Sequence, residues 1–211
     1  MPLRDYHDWH DDYARPGSSL HRRLQVVIEL LGRALDVLPA GPIRVVSLCA
    51  GQGVDILTVA EQHERGRDLM GRLVELDPRN VAAARDRISA AGLEGFEVVE
   101  ADAGRSDAYA GAVPADLVVA CGIFGNISLD DIERTIRFLP SLCTPGAHVL
   151  WTRHPREPGV IEHIETWLDE TGFARDALVL AEDATYGVGS AHLIGATRPL
   201  PMGERLFTFI R

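Results

Sequence analysis

The sequence contains no lysine: all 21 residues of the Lys-plus-Arg class are arginine. Without a lysine amine, the chain can form no lysine Schiff base and has no lysine general base. A Walker-type loop also needs a lysine for the nucleotide phosphates, so that loop is absent as well. This single absence excludes several enzyme classes.

Cysteines and long apolar runs are also scarce. Cys49, Cys121 and Cys143 lie in or beside short apolar stretches and form no CxxC pair. We interpret them as small buried residues in a reducing compartment, with no disulfide or metal site. No run approaches the roughly 18 apolar residues of a membrane span, and the N-terminus is too charged for a signal peptide. We expect a cytoplasmic protein that does not bind membranes.

Acidic residues outnumber basic ones, 31 to 21, giving a formal net charge of −10. An acidic surface repels nucleic acids and anionic membranes, so we expect neither as a partner. A neutral or cationic small molecule fits the charge better. The length of 211 residues, 46% of them hydrophobic, predicts one substantial core. The sequence leaves open whether the chain acts as a monomer or a homodimer.

Apolar patterns predict alternating strands and helices from about Arg44 to Thr171. Such alternation requires mostly parallel strands with helices on both faces, which defines a doubly wound, Rossmann-like α/β fold. A helix over 18–38 precedes it, and the linker "LPAGP" separates an N-terminal segment and helix (1–40) from the main domain (41–211). In the tail we predict a helix over 159–173, a strand over 176–183, and extended pieces over 192–198 and 205–211 that could pair antiparallel.

Glycines or carboxylates follow each of the first four predicted strands. In an open α/β sheet these strand ends meet where a ligand binds. Glycines let the backbone approach a ligand, and a carboxylate after the second strand can accept both hydroxyls of a ribose. Asp77 follows Gly53 by 24 residues, near the roughly 20 expected of such a pair. Together the four strand ends predict adenosine binding; they are "AGQG" (50–53), Glu75 with Asp77, Asp102, and "CGIFGN" (121–126).

From Val45 to His154 the chain resembles the class I S-adenosylmethionine (SAM)-dependent methyltransferases. The loop "LCAGQG" is similar to the one that meets the methionine moiety, and Asp77 in "VELDP" matches the acidic residue that holds the ribose. Asp102 and Ala103 in "EADA" resemble the pair that reads the adenine edge. The resemblance implies SAM as cofactor and a seven-stranded sheet with a terminal antiparallel strand and an N-terminal helical cap.

The resemblance and the strand ends together give a set of candidate site residues. His154, after the fifth strand, is the candidate general base. The candidate acceptor-binding residues are Phe124, Asn126 and Tyr186. The candidate cofactor-binding residues are Tyr13, Ala50, Gly51, Gly53, Asp77, Pro78, Asp102, Ala103, Cys121 and Gly122.

Two positions depart from the family pattern. Ser47 stands where the family usually has an acidic residue that engages the ammonium of the cofactor, and Cys49 stands at the usual first glycine. Asp55 could supply the missing carboxylate, although an acidic residue at a helix start also favours the helix dipole.

The N-terminal stretch "YHDWHDDYARPGSS" is rich in histidine, aspartate and aromatic residues. We interpret it as a lid over the cofactor, with Tyr13 and Arg22 suited to the methionine end. The pattern from His7 to Asp12 contains metal-capable side chains, but nothing in the spacing fixes a ligand geometry, so we predict no metal site.

The sequence favours a methyltransferase that acts on an oxygen or nitrogen nucleophile of a small molecule. A non-catalytic SAM-binding or sensing protein is the alternative from another class. A NAD-dependent oxidoreductase is less favoured, because Ile56 stands where a dinucleotide loop needs its third glycine. Amino methylation of nucleic acid is disfavoured too, since "CGIFGN" lacks the associated Pro-Pro-aromatic motif.

Overall fold

The computed structural model describes Tyr13 and residues 15–210. Their centre is one seven-stranded sheet in the order β3-β2-β1-β4-β5-β7-β6. All neighbouring strands are parallel except at β7, which runs antiparallel to both β5 and β6. The strands are β1 (Ile43–Leu48), β2 (Leu69–Glu75), β3 (Phe96–Glu100), β4 (Ala115–Ala120), β5 (Cys143–Thr152), β6 (Phe173–Leu180) and β7 (Gly187–Leu193).

Among the described residues, five α-helices connect or precede these strands. Short 3-10 turns lie at Gly66–Asp68, Ser106–Tyr109 and Leu139–Ser141. The α-helices are α1 (Ser19–Val37), α2 (Val54–Gln62), α3 (Pro78–Ala91), α4 (Leu129–Phe138) and α5 (Val160–Glu170).

The sheet separates two apolar layers. Buried residues of α1, α2 and α3 pack on one face, and those of α4, α5 and the C-terminal residues Leu206 and Phe207 pack on the other. The strand order reverses beside β1, which pairs with β2 on one side and β4 on the other. The carboxyl ends of these strands therefore open the crevice in which α/β sheets bind ligands.

The stretch "PRNVAAARDRISAAG" (78–92) predicts a helix that begins at Pro78 and ends at Gly92, and the structure has both ends. Asp77 caps α3 by accepting the Arg79 N–H (2.9 Å), and Pro78 begins that helix. Gly92 ends α3 with a φ of 62°, a left-handed conformation that glycine adopts without strain. The stretch "SLDDIERTIRFLPSLC" (128–143) predicts a helix with a cap at Ser128. The helix in the structure is shorter, because Pro140 cannot continue an α-helix: α4 ends at Phe138 and a 3-10 turn follows.

The tail differs from the prediction in both of its last extended pieces. The antiparallel partner of β5 and β6 is Gly187–Leu193, not residues 192–198. The glycines of this strand are more typical of a loop, so the sequence pattern did not predict a strand there. Gly189 is required there, because a Cβ atom would lie only 2.2 Å from Trp151 Cε2 on the neighbouring strand.

Residues 205–210 do not join the sheet. They form one isolated antiparallel bridge, between Arg205 and Arg105, and otherwise run as an extended segment beside the carboxyl edge. Within the residues that the structure describes, no helix combines the length and apolarity that a membrane span requires.

Candidate functional site

A cavity of about 910 Å³ opens at the carboxyl ends of β1 to β4. It is lined by residues from the loops that follow these strands, from α1, and from the C-terminal segment. Of the predicted cofactor-binding residues, all except Gly53 line it: Tyr13, Ala50, Gly51, Asp77, Pro78, Asp102, Ala103, Cys121 and Gly122.

The loop after β1 turns sharply through residues with positive φ. Gly51 (φ 56°) lines the cavity, and Cys49, at the usual first-glycine position, adopts a φ of 49°. Gly53 lies outside the cavity lining. Its φ is 67°, and a Cβ atom there would lie 2.9 Å from a methyl of Leu57 and 3.0 Å from a methyl of Leu73. Gly53 therefore permits the turn and the close packing beneath the loop.

Two carboxylates lie at the end of β2, and they make different contacts. Glu75 Oε2 accepts the Gly51 N–H (2.8 Å), and Oε1 accepts the Asp77 N–H (2.8 Å). Glu75 is buried at the strand end yet lines the cavity. The Asp77 carboxylate caps α3 and forms an ion pair with Arg79 Nη2 (2.6 Å). Glu75 thus links the glycine loop to the β2 end, whereas Asp77 is engaged in its own helix.

The turn after β3 is held from several sides. Asp102 Oδ1 accepts the Gly104 N–H (2.8 Å), and Oδ2 accepts from Arg205 Nη1 (2.5 Å). The buried Tyr109 hydroxyl donates to Ala103 O (2.5 Å). The Asp102 carboxylate and the Ala103 backbone therefore have fixed orientations at the cavity wall.

Tyr13, Arg23 and Asp55 group at the α1 side of the cavity. Arg23 Nη2 donates to the Tyr13 hydroxyl (2.6 Å), and its guanidinium lies 5.8 Å from the ring centroid. Burial raises the pKa of the Asp55 carboxyl, and the positive charge of Arg23 offsets part of that rise. Ser47, by contrast, is buried within β1 and lies outside the cavity lining.

The loop after β4 carries Cys121 and Gly122 into the cavity lining. The Gly122 N–H donates to Thr152 Oγ1 (2.7 Å), and the Asn126 side-chain amide donates to Gly122 O (2.8 Å). Asn126, predicted to bind the acceptor, thus uses its amide to hold this loop. Burial raises the pKa of the Cys121 thiol, which favours the protonated, non-nucleophilic form.

Phe124 was predicted to contact the acceptor, and the structure places it in the hydrophobic core instead. Its side chain is fully buried, with its ring centroid 6.3 Å from that of Trp151. The strand-four segment turns back toward the core at this residue, so we assign Phe124 to packing.

His154 and Tyr186 lie outside the cavity lining. His154 Nε2 is 3.3 Å from Arg153 Nη1. Because a guanidinium can only donate, Nε2 accepts at this contact, and the lone pair that a general base would use points at Arg153. Tyr186 lies on the β6–β7 connection, with the Arg22 guanidinium 5.9 Å from its ring centroid and Arg22 paired to Asp183 (2.6 Å).

No group of three histidine, cysteine, aspartate or glutamate side chains within the described part of the chain is arranged to hold a metal ion. The His7–Asp12 pattern and the rest of the predicted lid before Tyr13 lie outside the described residues.

No known family model matches the sequence, and no curated protein is significantly similar to it. Solved structures match the fold. Magnesium protoporphyrin IX methyltransferase from Synechocystis, with bound SAM, superposes with a TM-score of 0.69 at 13% identity over 89% of this chain and 90% of that one. An O-methyltransferase family protein from Burkholderia thailandensis gives 0.59 at 18% identity over 91% and 62%. The pre-rRNA processing protein fibrillarin of Methanococcus jannaschii gives 0.59 at 16% over 75% and 70%.

The chain therefore has the fold of the class I SAM-dependent methyltransferases, as the sequence resemblance predicted. The antiparallel β7 between β5 and β6 completes the predicted seven-stranded sheet.

Sequence reasoning missed the contribution of the C-terminal segment. Arg205, Phe207, Thr208 and Phe209 line the cavity. The stretch "RLFTFIR" predicts a strand, since a short run of apolar and β-forming residues does not distinguish a strand from an extended segment docked on a loop.

Proposed function

We propose that the protein is a SAM-dependent methyltransferase that transfers a methyl group to an oxygen or nitrogen of a small molecule. The observation that carries this proposal is the convergence of four strand ends on one cavity, with Glu75 after β2 and Asp102 after β3 on its wall. An elongated adenosyl ligand needs one carboxylate for its ribose hydroxyls and another for its adenine amine, at separate places along its length.

In this proposal Glu75, rather than Asp77, binds the ribose hydroxyls. Glu75 ends β2 and touches the glycine loop, so its carboxylate faces the part of the cavity between the methionine and adenine ends. The Asp77 carboxylate is occupied by the α3 N-terminus and Arg79. The sequence pattern pointed to Asp77 at the end of β2, and the contacts favour Glu75, two positions earlier.

Asp102 and Ala103 bind the adenine edge. A carboxylate accepts from the exocyclic amine, and a backbone N–H donates to a ring nitrogen. The Tyr109 hydroxyl on Ala103 O and the Gly104 N–H on Asp102 keep this turn in one orientation.

Asp55 takes the role that the family gives to an acidic residue at the position of Ser47. Its carboxylate lines the cavity at the start of α2, where Oδ1 accepts the Ile56 N–H (2.8 Å). There an ionised carboxylate can accept a hydrogen bond from the ammonium group at the methionine end of the cofactor. The Tyr13 ring forms the cavity wall at that end. Burial disfavours the ionised form of this carboxylate, and pairing with the ammonium would stabilise that ionised form.

The bound sulfonium supplies an activated methyl group. The chain then has to hold an acceptor lone pair in line with that methyl and exclude water. The loop carrying Cys121 and Gly122 borders this region, and its anchor to Thr152 keeps it rigid. No general base is needed for an acceptor that loses its proton readily, and the contact of His154 with Arg153 argues against a ready base there.

A small-molecule acceptor is favoured over RNA by charge. The formal charge of −10 opposes the accumulation of a polyanion, which fibrillarin-like RNA processing would require. The cytoplasmic location and the division into 1–40 and 41–211 stay predictions.

Two alternatives are distinguished by separate observations. A NAD-binding Rossmann sheet has six parallel strands, whereas here β7 is antiparallel and lies between β5 and β6. A non-catalytic SAM-binding protein would use the same cavity, so only turnover separates it from an enzyme.

The experiment is transfer of a labelled methyl group from SAM to pools of small-molecule phenols, carboxylic acids and amines, with an RNA pool in parallel. We expect label in a small-molecule fraction that disappears in Glu75→Gln. Label in the RNA fraction alone would contradict the proposal of a small-molecule acceptor. SAM binding without transfer to any pool would favour the sensing alternative.

A further inference from the structure

Residues 203–210 form an extended segment that we call the C-terminal strap. Its first part docks on the loop after β3. The Gly203 N–H donates to Asp107 Oδ1 (3.1 Å), the Glu204 N–H donates to Ser106 Oγ (2.9 Å), and the Ser106 N–H donates to Glu204 O (3.0 Å). These reciprocal bonds fix the position at which the strap meets the cavity.

The second part of the strap docks on α4 and the loop before it. The Thr208 N–H donates to Asp131 Oδ2 (3.0 Å), and the Ile210 N–H donates to Asn126 O (2.9 Å). Leu206 and Phe207 are buried in the core between these anchors. The strap thus bridges the β3 end and the β4 end of the sheet.

Between its anchors the strap touches the turn that faces the adenine end. The Leu206 N–H donates to Gly104 O (2.8 Å). A Cβ atom on Gly104 would lie 2.4 Å from Phe207 O, so only glycine permits this approach. The Arg205 guanidinium reaches Asp102 Oδ2 (2.5 Å), while the Gly104 N–H holds Oδ1.

This arrangement leaves Asp102 with acceptor capacity in a fixed direction. Each carboxylate oxygen has two lone pairs, and the two donors on Asp102 use one on each oxygen. Without Arg205, the partly exposed carboxylate would be held on one oxygen only and could rotate away from the cavity.

We propose that Arg205 is a positioning residue for base recognition: it orients the Asp102 carboxylate toward the exocyclic amine of adenine, so a residue of the C-terminal strap sets the base specificity of the cofactor site. This inference rests on the proposed function, in which Asp102 reads the adenine amine. Arg205 itself lines the cavity, and Phe207 and Thr208 extend the same wall.

The test compares two ligands that differ only at the amine. S-adenosylhomocysteine (SAH) carries it, and S-inosylhomocysteine has a carbonyl oxygen in its place. Calorimetry measures the dissociation constants of both for wild type, Arg205→Ala and the control Arg105→Ala. Arg105 lies in the same loop and its side chain pairs with Asp107 (3.5 Å), so its substitution removes an equal charge without removing a contact of the Asp102 carboxylate.

We expect wild type to prefer SAH. Arg205→Ala should weaken SAH binding roughly tenfold, the scale of one lost charge-assisted contact, and leave the inosine compound within about twofold. Arg105→Ala should leave the ratio of the two constants unchanged. If Arg205→Ala does not fold, Arg205→Gln, which keeps one side-chain donor, should retain part of the preference.

Equal weakening of both ligands would overturn the proposal, since it would make Arg205 a wall residue only. Tighter SAH binding by Arg205→Ala would also overturn it, because Arg205 would then compete with the amine. Wild type that binds both ligands equally would overturn this inference and leave the methyltransferase proposal standing. Wild type that binds neither would overturn the proposed function itself.

Discussion

The Glu75 carboxylate bridges the backbone of Gly51 and Asp77, with 2.8 Å to each N–H. One side chain thus ties the glycine loop after β1 to the turn after β2, and Glu75 lines the cavity. Its position makes Glu75 the most informative residue to change.

Glu75→Gln should weaken SAH binding by roughly 10- to 100-fold in calorimetry. An amide retains one acceptor oxygen, but its NH2 group would face one of the two backbone N–H donors. The matched control is Asp77→Asn, because asparagine is also a good helix cap and preserves the α3 N-terminus. We expect the control to stay within about threefold. A larger loss of SAH affinity in the control than in Glu75→Gln would show that Asp77, not Glu75, binds the ribose.

Asp55 should make cofactor binding depend on pH. Burial raises the pKa of its carboxyl in the free protein, and an ammonium partner would lower that pKa in the complex. Binding should therefore release protons at mildly acidic pH, and SAH affinity should fall as the pH falls through the raised pKa. Titrations in two buffers of different ionisation enthalpy measure the proton release. Asp55→Asn should abolish it; proton release that persists in this variant would contradict the assignment.

Phe124 should behave as a core residue. Phe124→Ala should lower the free energy of unfolding by about 3–5 kcal/mol, because it leaves a cavity against Trp151. Phe124→Leu should retain most of that stability and leave the KM for the acceptor unchanged. A raised KM in the leucine variant, with normal stability, would restore the predicted role in acceptor binding.

His148 should make stability sensitive to acid. It lies on β5 with Nδ1 3.0 Å from Asp176 Oδ2, and burial lowers its pKa, an effect that Asp176 only partly offsets. Below about pH 6.5 the unfolded chain binds more protons than the folded one. The contribution of His148 to the free energy of unfolding is therefore complete above about pH 6.5 and declines as the pH falls below it. Urea unfolding between pH 7.5 and 5 should show a shallower decline for His148→Gln than for wild type. Parallel declines would contradict the lowered pKa.

The sequence predicted the fold well where strands and helices alternate. Pro78, Gly92 and the Ser128 cap marked helix ends that the structure confirms. The prediction from sequence failed at β7, where Gly189 makes room for Trp151 of the adjacent strand. That requirement depends on a neighbour about forty residues away in the chain, so no local pattern could reveal it.

The site was predictable to the level of strand ends. Gly51, Asp102 and Cys121 lie within three residues of the ends of their strands, and they line one cavity. The choice between Glu75 and Asp77 was not predictable, since it depends on which carboxylate the α3 N-terminus engages. The contribution of Arg205 comes from a tertiary contact 103 positions away in the chain.

Above all, we propose that the cavity after β1 to β4 binds an adenosyl cofactor. Calorimetric titration of the wild-type protein with SAH tests this binding. We predict saturable binding of one ligand per chain, with a dissociation constant in the micromolar range typical of enzyme ligands. The absence of any binding heat and any thermal stabilisation at millimolar SAH would contradict the account.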